Sequence, residues 1–266
     1  MIICKGKSEL ATMREANLIV ARVLSRLQEL IKPGVTTAQL DRVADEMIRK
    51  VGAVPSFKGY RGFPANVCIS INDEIVHGIP GPRSLKEGDI VSIDVGAYHR
   101  GYHGDSARTF PVGRISTEML TLLKVTRESL YKGIEQVKPG NRVSDISAAV
   151  QRYVESHGFS VVREFVGHGV GKSLHEDPQV PNYGRPGRGP RLRPGMVLAI
   201  EPMVNSKGPE TKLLRDRWTA VTADGGYSAH FEHSVAVTEN GVWILSELNG
   251  LHRRGKKDAP RRTDSS

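Results

Sequence analysis

The chain repeats itself at a spacing of 106 to 107 residues. The breaker KPG occurs at 32–34 and again at 138–140, and a glycine closes the following apolar pattern at Gly52 and at Gly158. The runs LKEGDIVSID (85–94) and LRPGMVLAIE (192–201) share a Leu, a Gly, an apolar stretch, an Ile and a terminal acid. Helical patterns, breakers and strand patterns agree on this spacing, which indicates a duplicated unit. We therefore expect two similar halves related by a pseudo-twofold axis.

Apolar residues at helical spacing predict four helices, two in each half. One helix ends before Pro33 and the next at Gly52; a third is predicted over 117–137, and a fourth ends before Gly158. Five apolar positions of the second helix recur in the fourth, as Leu40, Val43, Ala44, Met47 and Ile48 match Ile146, Ala149, Val150, Tyr153 and Val154. We expect an α+β protein built as helix-helix-sheet twice over, with a site in the cleft where the two sheets meet.

Composition and termini exclude several classes of protein. Of 266 residues, 38% are hydrophobic and 25% charged, as in globular proteins, and no apolar run approaches the roughly 20 residues that span a bilayer. The start MIICKGKSEL has no apolar secretory core, and two cysteines, Cys4 and Cys68, make no disulfide framework. We expect a cytoplasmic protein.

The net charge of +9 is partly concentrated at the C-terminus. The segment HRRGKKDAPRRTDSS (252–266) has six Lys or Arg against two Asp and no large apolar residue. This composition predicts a disordered basic tail over residues 251–266. The tail either only increases solubility or binds RNA or another acidic surface weakly.

A β-hairpin is predicted in IDVGAYHRGYHGD (93–105). A turn centred between His99 and Arg100 places Asp94 directly opposite Asp105 on one face of the sheet. Like charges at that separation destabilise a sheet. Either one carboxylate keeps its proton, or a divalent cation lies between the two. A bulge that shifts the register, so that one aspartate faces solvent, is the structural alternative.

Three further residues could join this pair. His168 lies between glycines in FVGHGVG, Glu201 ends the apolar run of AIEPM, and Glu232 begins the strand pattern of HFEHSVAVT. Taken singly, the histidine could be an ordinary core residue and each glutamate an edge residue facing water. Together, four carboxylates and one imidazole suit two divalent ions such as Mn, Fe, Co or Zn. Two such ions support metal-assisted hydrolysis.

The ordered set Asp94, Asp105, His168, Glu201 and Glu232 occurs in the motifs DVGAYHRGYHGD, GHGVG, IEPM and FEHS. It resembles that of the type I methionine aminopeptidases, metallopeptidases of family M24 with the pita-bread fold. The resemblance covers residues 5–250. It implies a single catalytic domain over 1–250, with repeats near 8–110 and 116–240 that form two pseudo-symmetric halves around a central curved antiparallel sheet.

The resemblance also implies a chemistry. Asp105 and Glu232 would bridge two divalent cations (Co²⁺, Fe²⁺, Mn²⁺ or Zn²⁺), Asp94 would bind one of them, and His168 with Glu201 the other. A metal-bridged hydroxide would remove the N-terminal methionine of nascent proteins, with preference for a small second residue. The resemblance implies that Glu201 carries a proton to the leaving amine.

Further site residues come from the same resemblance. His77 would contact the substrate and His175 would stabilise the oxyanion. The methionine side chain would be bound by Tyr60, Phe63, Cys68 and Trp218. Two departures leave the width of this pocket open, because Phe57 stands where a cysteine is common and Leu174 where an aromatic residue usually precedes the histidine. A weaker match suggests a monovalent cation near Asn72, Glu74 and Ser228.

Two other functions stay open at this point. An Xaa-Pro aminopeptidase or prolidase has the same fold but usually carries an additional N-terminal domain, whereas the first repeat here begins near residue 8. A non-catalytic pita-bread protein that binds ribosomes or RNA would have lost metal ligands, whereas all five are present. We expect a monomer whose basic surface or tail could associate with ribosomes.

Overall fold

The protein is described from a computed structural model, which covers residues 1–248 and the backbone of residues 253–254. This part of the chain contains four α-helices: α1 (Lys7–Leu30), α2 (Thr37–Lys50), α3 (Thr117–Ile134) and α4 (Val143–Glu155). Side chains cap two of the helices, since Gln39 N donates to Thr36 Oγ1 at 3.2 Å and Met119 N donates to Ser116 Oγ at 3.2 Å.

The strands are mostly short. In chain order they are β1 (Val54–Pro55), β2 (Cys68–Ile71), β3 (Glu74–Val76), β4 (Ile90–His99), β5 (Tyr102–Pro111), β6 (Ser160–Val161), β7 (Gly167–Gly169), β8 (Glu176–Val180), β9 (Val197–Ile200), β10 (Met203–Asn205), β11 (Thr211–Leu213), β12 (Ala220–Thr222), β13 (Ser228–His230), β14 (His233–Thr238), β15 (Gly241–Ile244) and β16 (Arg253–Arg254). A 3₁₀ turn, Tyr60–Gly62, follows β1.

The described strands pair in an antiparallel manner and form four sheets. In the first half, β4 pairs with β1, β2 and β5. In the second half, the strand order is β16-β15-β14-β9-β7-β8. Two smaller sheets have the orders β13-β10-β6 and β11-β12-β3, so the second of them joins strands from both halves.

Helices cover one face of these sheets and leave the other face for the site. Buried residues of α1 and α2, including Leu24 and Leu40, pack against Ile93 and Val95 of β4. Successive side chains of a strand point to opposite faces, so Asp94 points away from the helices. In the second half, Leu130 of α3 and Ile146 of α4 pack in one cluster with Leu198 of β9 and Val235 of β14.

Hydrogen bonds connect the two halves along β5. Ser106 Oγ donates to Glu232 O at 2.6 Å, Ser234 Oγ donates to Asp105 O at 2.9 Å, and Thr109 Oγ1 donates to His230 O at 2.9 Å. The segment 230–234 is therefore fixed against the hairpin that carries the two aspartates.

The predicted α+β architecture of two helix-helix-sheet halves is confirmed. One boundary differs, because α3 ends at Ile134 and not at residue 137. After Ile134 the backbone hydrogen bonds join residues three apart instead of four, since Gln136 N donates to Gly133 O and Val137 N donates to Ile134 O. No helix in the described part of the chain is long and apolar enough to cross a bilayer. The predicted tail over 251–266 lies outside the described residues, apart from the backbone of 253–254.

Candidate metal centre and substrate pocket

The register of the β4–β5 hairpin differs from the prediction. The turn is Arg100–Gly101, so Asp94 pairs with Ala107 and Asp105 pairs with Gly96. The direct pairing of Asp94 with Asp105 was therefore wrong. The shift is an even number of residues, and side chains alternate faces with a period of two, so both aspartates still share one face as diagonal neighbours.

Three carboxylates converge at this point. Ligand atoms of Asp94, Asp105 and Glu232 all lie within 4.8 Å of one another. Asp105 and Glu232 are 3% and 2% exposed, and one oxygen of each carboxylate is fully buried without a hydrogen-bond partner among the described residues. Buried, unpaired carboxylate oxygens are costly. A divalent cation would satisfy them, so the donor set fits a metal centre.

His168 and Glu201 complete the set from the second half. His168 Nε2 lies 3.5 Å from Glu201 Oε1 and 3.8 Å from Asp105 Oδ2. These separations resemble the roughly 3.4 Å between tetrahedral ligands of an ion with bonds of about 2.1 Å. The glycines on either side of His168 allow β7 to approach its neighbours, because a Cβ on Gly167 would lie 2.4 Å from Ala199 O.

Burial sets the charge of these groups in the metal-free protein. Burial raises the pKa of Asp94 to about 7 and the pKa of Glu201 to about 8. Burial and the neighbouring carboxylates raise the pKa values of Asp105 and Glu232 well above their ordinary range. Burial lowers the pKa of His168 to about 3. A bound cation would favour the ionised carboxylates and the neutral imidazole, which is the ligand form of each.

The two predicted substrate histidines lie beside the centre. The His175 ring is tilted against His168 with 4.1 Å between ring centroids, and its Nδ1 is 2.8 Å from the Tyr60 hydroxyl. His77 follows β3 with a φ of 61°, and its ring meets the edge of Phe165. A positive φ is uncommon for a histidine, and His77 lines the same pocket as the carboxylates.

An apolar pocket of about 190 Å³ opens beside the carboxylates. It contains all four residues predicted for the methionine side chain, Tyr60, Phe63, Cys68 and Trp218. Phe63 meets Trp218 edge to face with centroids 5.2 Å apart. Burial raises the pKa of the Cys68 thiol well above its usual value, so this side chain lines the pocket as an uncharged group.

Both departures from the family pattern lie in this pocket. Phe57 and Leu174 are 8% and 2% exposed and belong to its apolar cluster. The Phe57 ring lies against Gly96, where an added Cβ would be 2.6 Å from the ring. The glycine opposite Asp105 therefore accommodates the phenylalanine that replaces the commoner cysteine.

Two residues of the centre, Asn17 and His230, were not predicted from the sequence. Asn17 of α1 is fully buried, and Asp105 N donates to its Oδ1 at 3.3 Å. His230 is 2% exposed, and its Nε2 lies 3.6 Å from Glu201 Oε2. His230 could have been found, because it precedes Glu232 by two residues in a strand-like run. Asn17 carries no signal in the sequence, since its helix is far from the hairpin along the chain.

The residues of the weaker cation match already have partners within the protein. Asn72 Nδ2 donates to Asp89 Oδ1, and Asn72 Oδ1 accepts a hydrogen bond from Ile90 N. Glu74 accepts hydrogen bonds from Ile71 N and from Arg83. Ser228 N donates to Asn72 O. A monovalent cation at this loop stays a prediction.

Comparison with known proteins places this geometry in a family. The family model described as Metallopeptidase family M24 matches residues 11–239. Methionine aminopeptidase 1 of Bacillus subtilis (strain 168) is 60% identical over 248 residues, which are 93% of this chain and 100% of that protein. The crystal structure of methionine aminopeptidase from Thermotoga maritima has 48% identity and a TM-score of 0.92, covering 93% of this chain and 100% of that one.

A more distant structure shares only the fold. The prolidase from Pyrococcus furiosus has 24% identity and a TM-score of 0.75, and the match covers 92% of this chain but 65% of the prolidase. These likenesses confirm the pita-bread fold. The family match over most of the sequence, together with the 60% identity, shows that the chain belongs to metallopeptidase family M24 and, within it, to the methionine aminopeptidases.

Proposed function

We propose that the chain hydrolyses the first peptide bond of polypeptides that begin with methionine, using two divalent ions held by Asp94, Asp105, His168, Glu201 and Glu232. The observation that carries the proposal is the cluster of buried carboxylate oxygens without partners, which opens directly into an apolar pocket. When bound, the ions would supply an activated water and polarise the scissile carbonyl.

The protein's own groups then handle the proton and the substrate. Glu201 Oε1 lies 3.5 Å from His168 Nε2 within the centre, so its carboxylate can accept a proton from the activated water and release it to the leaving amine. Burial lowers the pKa of His175, so the ring is neutral and can donate one N–H to the developing oxyanion. The contact with the Tyr60 hydroxyl at Nδ1 leaves His175 Nε2 for this role.

The pocket supports selection of methionine. An unbranched, polarisable thioether fits an irregular apolar cavity lined by aromatic rings. His77 has a pKa lowered to about 4 by burial, so it meets the substrate as a neutral group. A preference for a small second residue follows if the second side chain must pass the rings of Phe165 and Trp218, each of which is nearly perpendicular to the His77 ring.

The experiment is metal removal followed by addition of single metals. The purified protein is stripped with chelator, supplied with Mn²⁺, Fe²⁺, Co²⁺ or Zn²⁺, and assayed for free methionine released from Met-Ala-Ser. We expect release with at least one metal, little release from Met-Leu-Ser, and none from N-acetyl-Met-Ala-Ser, whose amine is blocked. Two outcomes with folded protein would contradict the proposal. One is release of methionine by stripped protein without added metal, and the other is no release with any of the four metals.

The same assay distinguishes the proposed methionine aminopeptidase activity from the prolidase alternative. Ala-Pro-Ser is offered under the conditions that are best for Met-Ala-Ser. Faster cleavage of the proline peptide would assign the site to Xaa-Pro substrates instead.

Ribosome association and a cytoplasmic location stay predictions. The association should be weakened by salt and lost on deletion of residues 252–266, since contacts to phosphates are salt-dependent. Cosedimentation with ribosomes at two salt concentrations tests this, and unchanged binding of the truncated chain would contradict it.

A further inference from the structure

His230 is buried among the residues that line the pocket and has no use in the mechanism above. Its side chain is 2% exposed, and its Nε2 has no hydrogen-bond partner among the residues described. Its backbone is held on both sides by Thr109, because His230 N donates to Thr109 Oγ1 at 2.8 Å and Thr109 Oγ1 donates to His230 O at 2.9 Å. A buried, rigidly held imidazole nitrogen without a partner calls for a partner that binds there.

The group facing this nitrogen is the Glu201 carboxylate. Glu201 Oε2 lies 3.6 Å from His230 Nε2, while Glu201 Oε1 lies 3.5 Å from His168 Nε2. Each oxygen of Glu201 therefore faces its own imidazole. Within the described part of the chain, the carboxylate accepts no hydrogen bond of its own, so nothing else fixes which oxygen faces the centre.

The distance is longer than a hydrogen bond and shorter than a contact through water. N–H···O hydrogen bonds have heavy-atom distances up to about 3.2 Å, so a movement of about half an ångström closes the gap. His230 itself is not part of the carboxylate cluster formed by Asp94, Asp105 and Glu232.

We propose that His230 is a positioning residue for Glu201: its Nε2–H donates to Glu201 Oε2 and thereby presents Oε1 to the metal shared with His168. The proposal rests on the dinuclear centre of the proposed function. Groups that hold the second atom of a metal ligand typically contribute 10–100-fold to metal affinity. The direct readout is therefore the affinity of the protein for its metal, measured apart from peptide cleavage.

The test is a metal titration of stripped protein carrying His230→Gln, His230→Asn or His230→Leu. Glutamine keeps an N–H donor at nearly the reach of the imidazole Nε2, asparagine is one carbon too short, and leucine has no donor. We expect Gln to bind metal within about threefold of the parent, whereas Asn and Leu bind roughly 10–100-fold more weakly. If the Leu variant fails to fold, the comparison of Gln with Asn carries the test.

The matched control is His233→Leu. His233 lies three residues along the same segment, is 4% exposed, and its Nδ1 lies 2.7 Å from Ser246 Oγ instead of facing the centre. We expect its metal affinity to stay at the parent value even where its unfolding midpoint falls. A weakening equal to that of His230→Leu would mean that the effect is structural and would overturn the proposal.

Two further results would overturn it. Parental affinity in folded His230→Leu would show that Glu201 needs no such donor. Loss of one whole equivalent of bound metal in His230→Gln would make His230 a ligand and not a positioning residue. Failure of the proposed function would look different. The parent protein would then bind metal, and the Asn and Leu variants would bind it more weakly than the Gln variant, but the parent would release no methionine.

Discussion

At the scale of single residues, the centre gathers buried carboxylates whose charge must be offset either by a proton or by a cation. Asp105 illustrates this, because its carboxylate is 3% exposed and close to three other carboxylates that burial keeps from ionising. Its backbone N–H donates to Asn17 Oδ1, and its backbone C=O accepts a hydrogen bond from Ser234 Oγ. These hydrogen bonds fix the backbone of Asp105 but do not offset the charge of its carboxylate.

Asp105→Asn should stabilise the metal-free protein at pH 8 and weaken metal binding. Removing one carboxylate stabilises the metal-free folded state by about 1.4 kcal/mol for each unit by which the pKa values of the neighbouring carboxylates fall. Losing a metal ligand weakens metal affinity by at least the roughly 10–100-fold that is typical of groups hydrogen-bonded to a ligand. Urea unfolding of stripped protein and metal titration measure the two effects. A variant less stable than the parent without metal would show that Asp105 is satisfied by the protein alone.

Phe63 tests the pocket. Phe63→Ala removes a ring that is 4% exposed and packs edge to face on Trp218. We expect kcat/KM for Met-Ala-Ser to fall roughly 10–100-fold, corresponding to about 1.5–3 kcal/mol for one buried apolar side chain. Phe159→Ala, in the cluster of α3 and α4, is the control and should change stability but not kcat/KM. Equal losses in both would mean that Phe63 acts only in folding.

At the scale of elements, the contact between α1 and β5 positions the hairpin. A Cβ on Gly104 would lie 2.6 Å from the backbone of Ala16 and Asn17 in α1. The glycine thus lets the helix approach closely enough for Asn17 to accept the hydrogen bond from Asp105 N. Helix, hairpin and centre are coupled through this one approach.

Gly104→Ala should therefore reduce both stability and metal affinity. Overpacking of this kind costs about 1–3 kcal/mol and displaces the backbone that carries Asp105. Gly101→Ala is the control: Gly101 has a φ of 90° and no atom within 4 Å of an added Cβ, so it should cost about 1 kcal/mol of strain and leave metal affinity unchanged. Urea unfolding and metal titration of both variants check this. If Gly104→Ala binds metal as tightly as the parent protein, the packing of α1 against β5 does not influence the metal centre.

At the scale of the whole molecule, the metal-free protein is under two opposing pH effects. Carboxylates whose pKa values are raised by burial, such as Asp94 and Glu201, bind protons that the unfolded chain has lost, so their contribution to stability declines as pH rises. Histidines whose pKa values are lowered, such as His77 and His168, act in the opposite sense below about 6.5, their ordinary pKa. Above that pH only the carboxylate effect remains.

We expect the free energy of unfolding of the stripped protein to fall between pH 6.5 and 8. The slope is at most about 1.4 kcal/mol per pH unit for each proton held by the folded state. Urea unfolding at several pH values measures it, and Glu201→Gln should have a smaller slope. Saturating metal should remove the decline, because the ligands are then deprotonated. A curve that is flat or rising without metal would contradict the proposed burial of charge.

The sequence predicted much of this architecture because its signals are local. Apolar periodicity located all four helices, and the error at the end of α3 was three residues, where a helical turn tightened without a breaker. The two aspartates were assigned to one face although the register was wrong, since the face depends only on whether their separation from the turn is odd or even.

Tertiary structure decided what no local pattern encodes. Asn17 reaches Asp105 across 88 positions of sequence, and Thr109 holds His230 across 121. Residue types and strand periodicity by themselves determined which groups could bind metal. Packing between distant elements decided how those groups are oriented, because the hydrogen bonds between such elements form only once the elements have packed together.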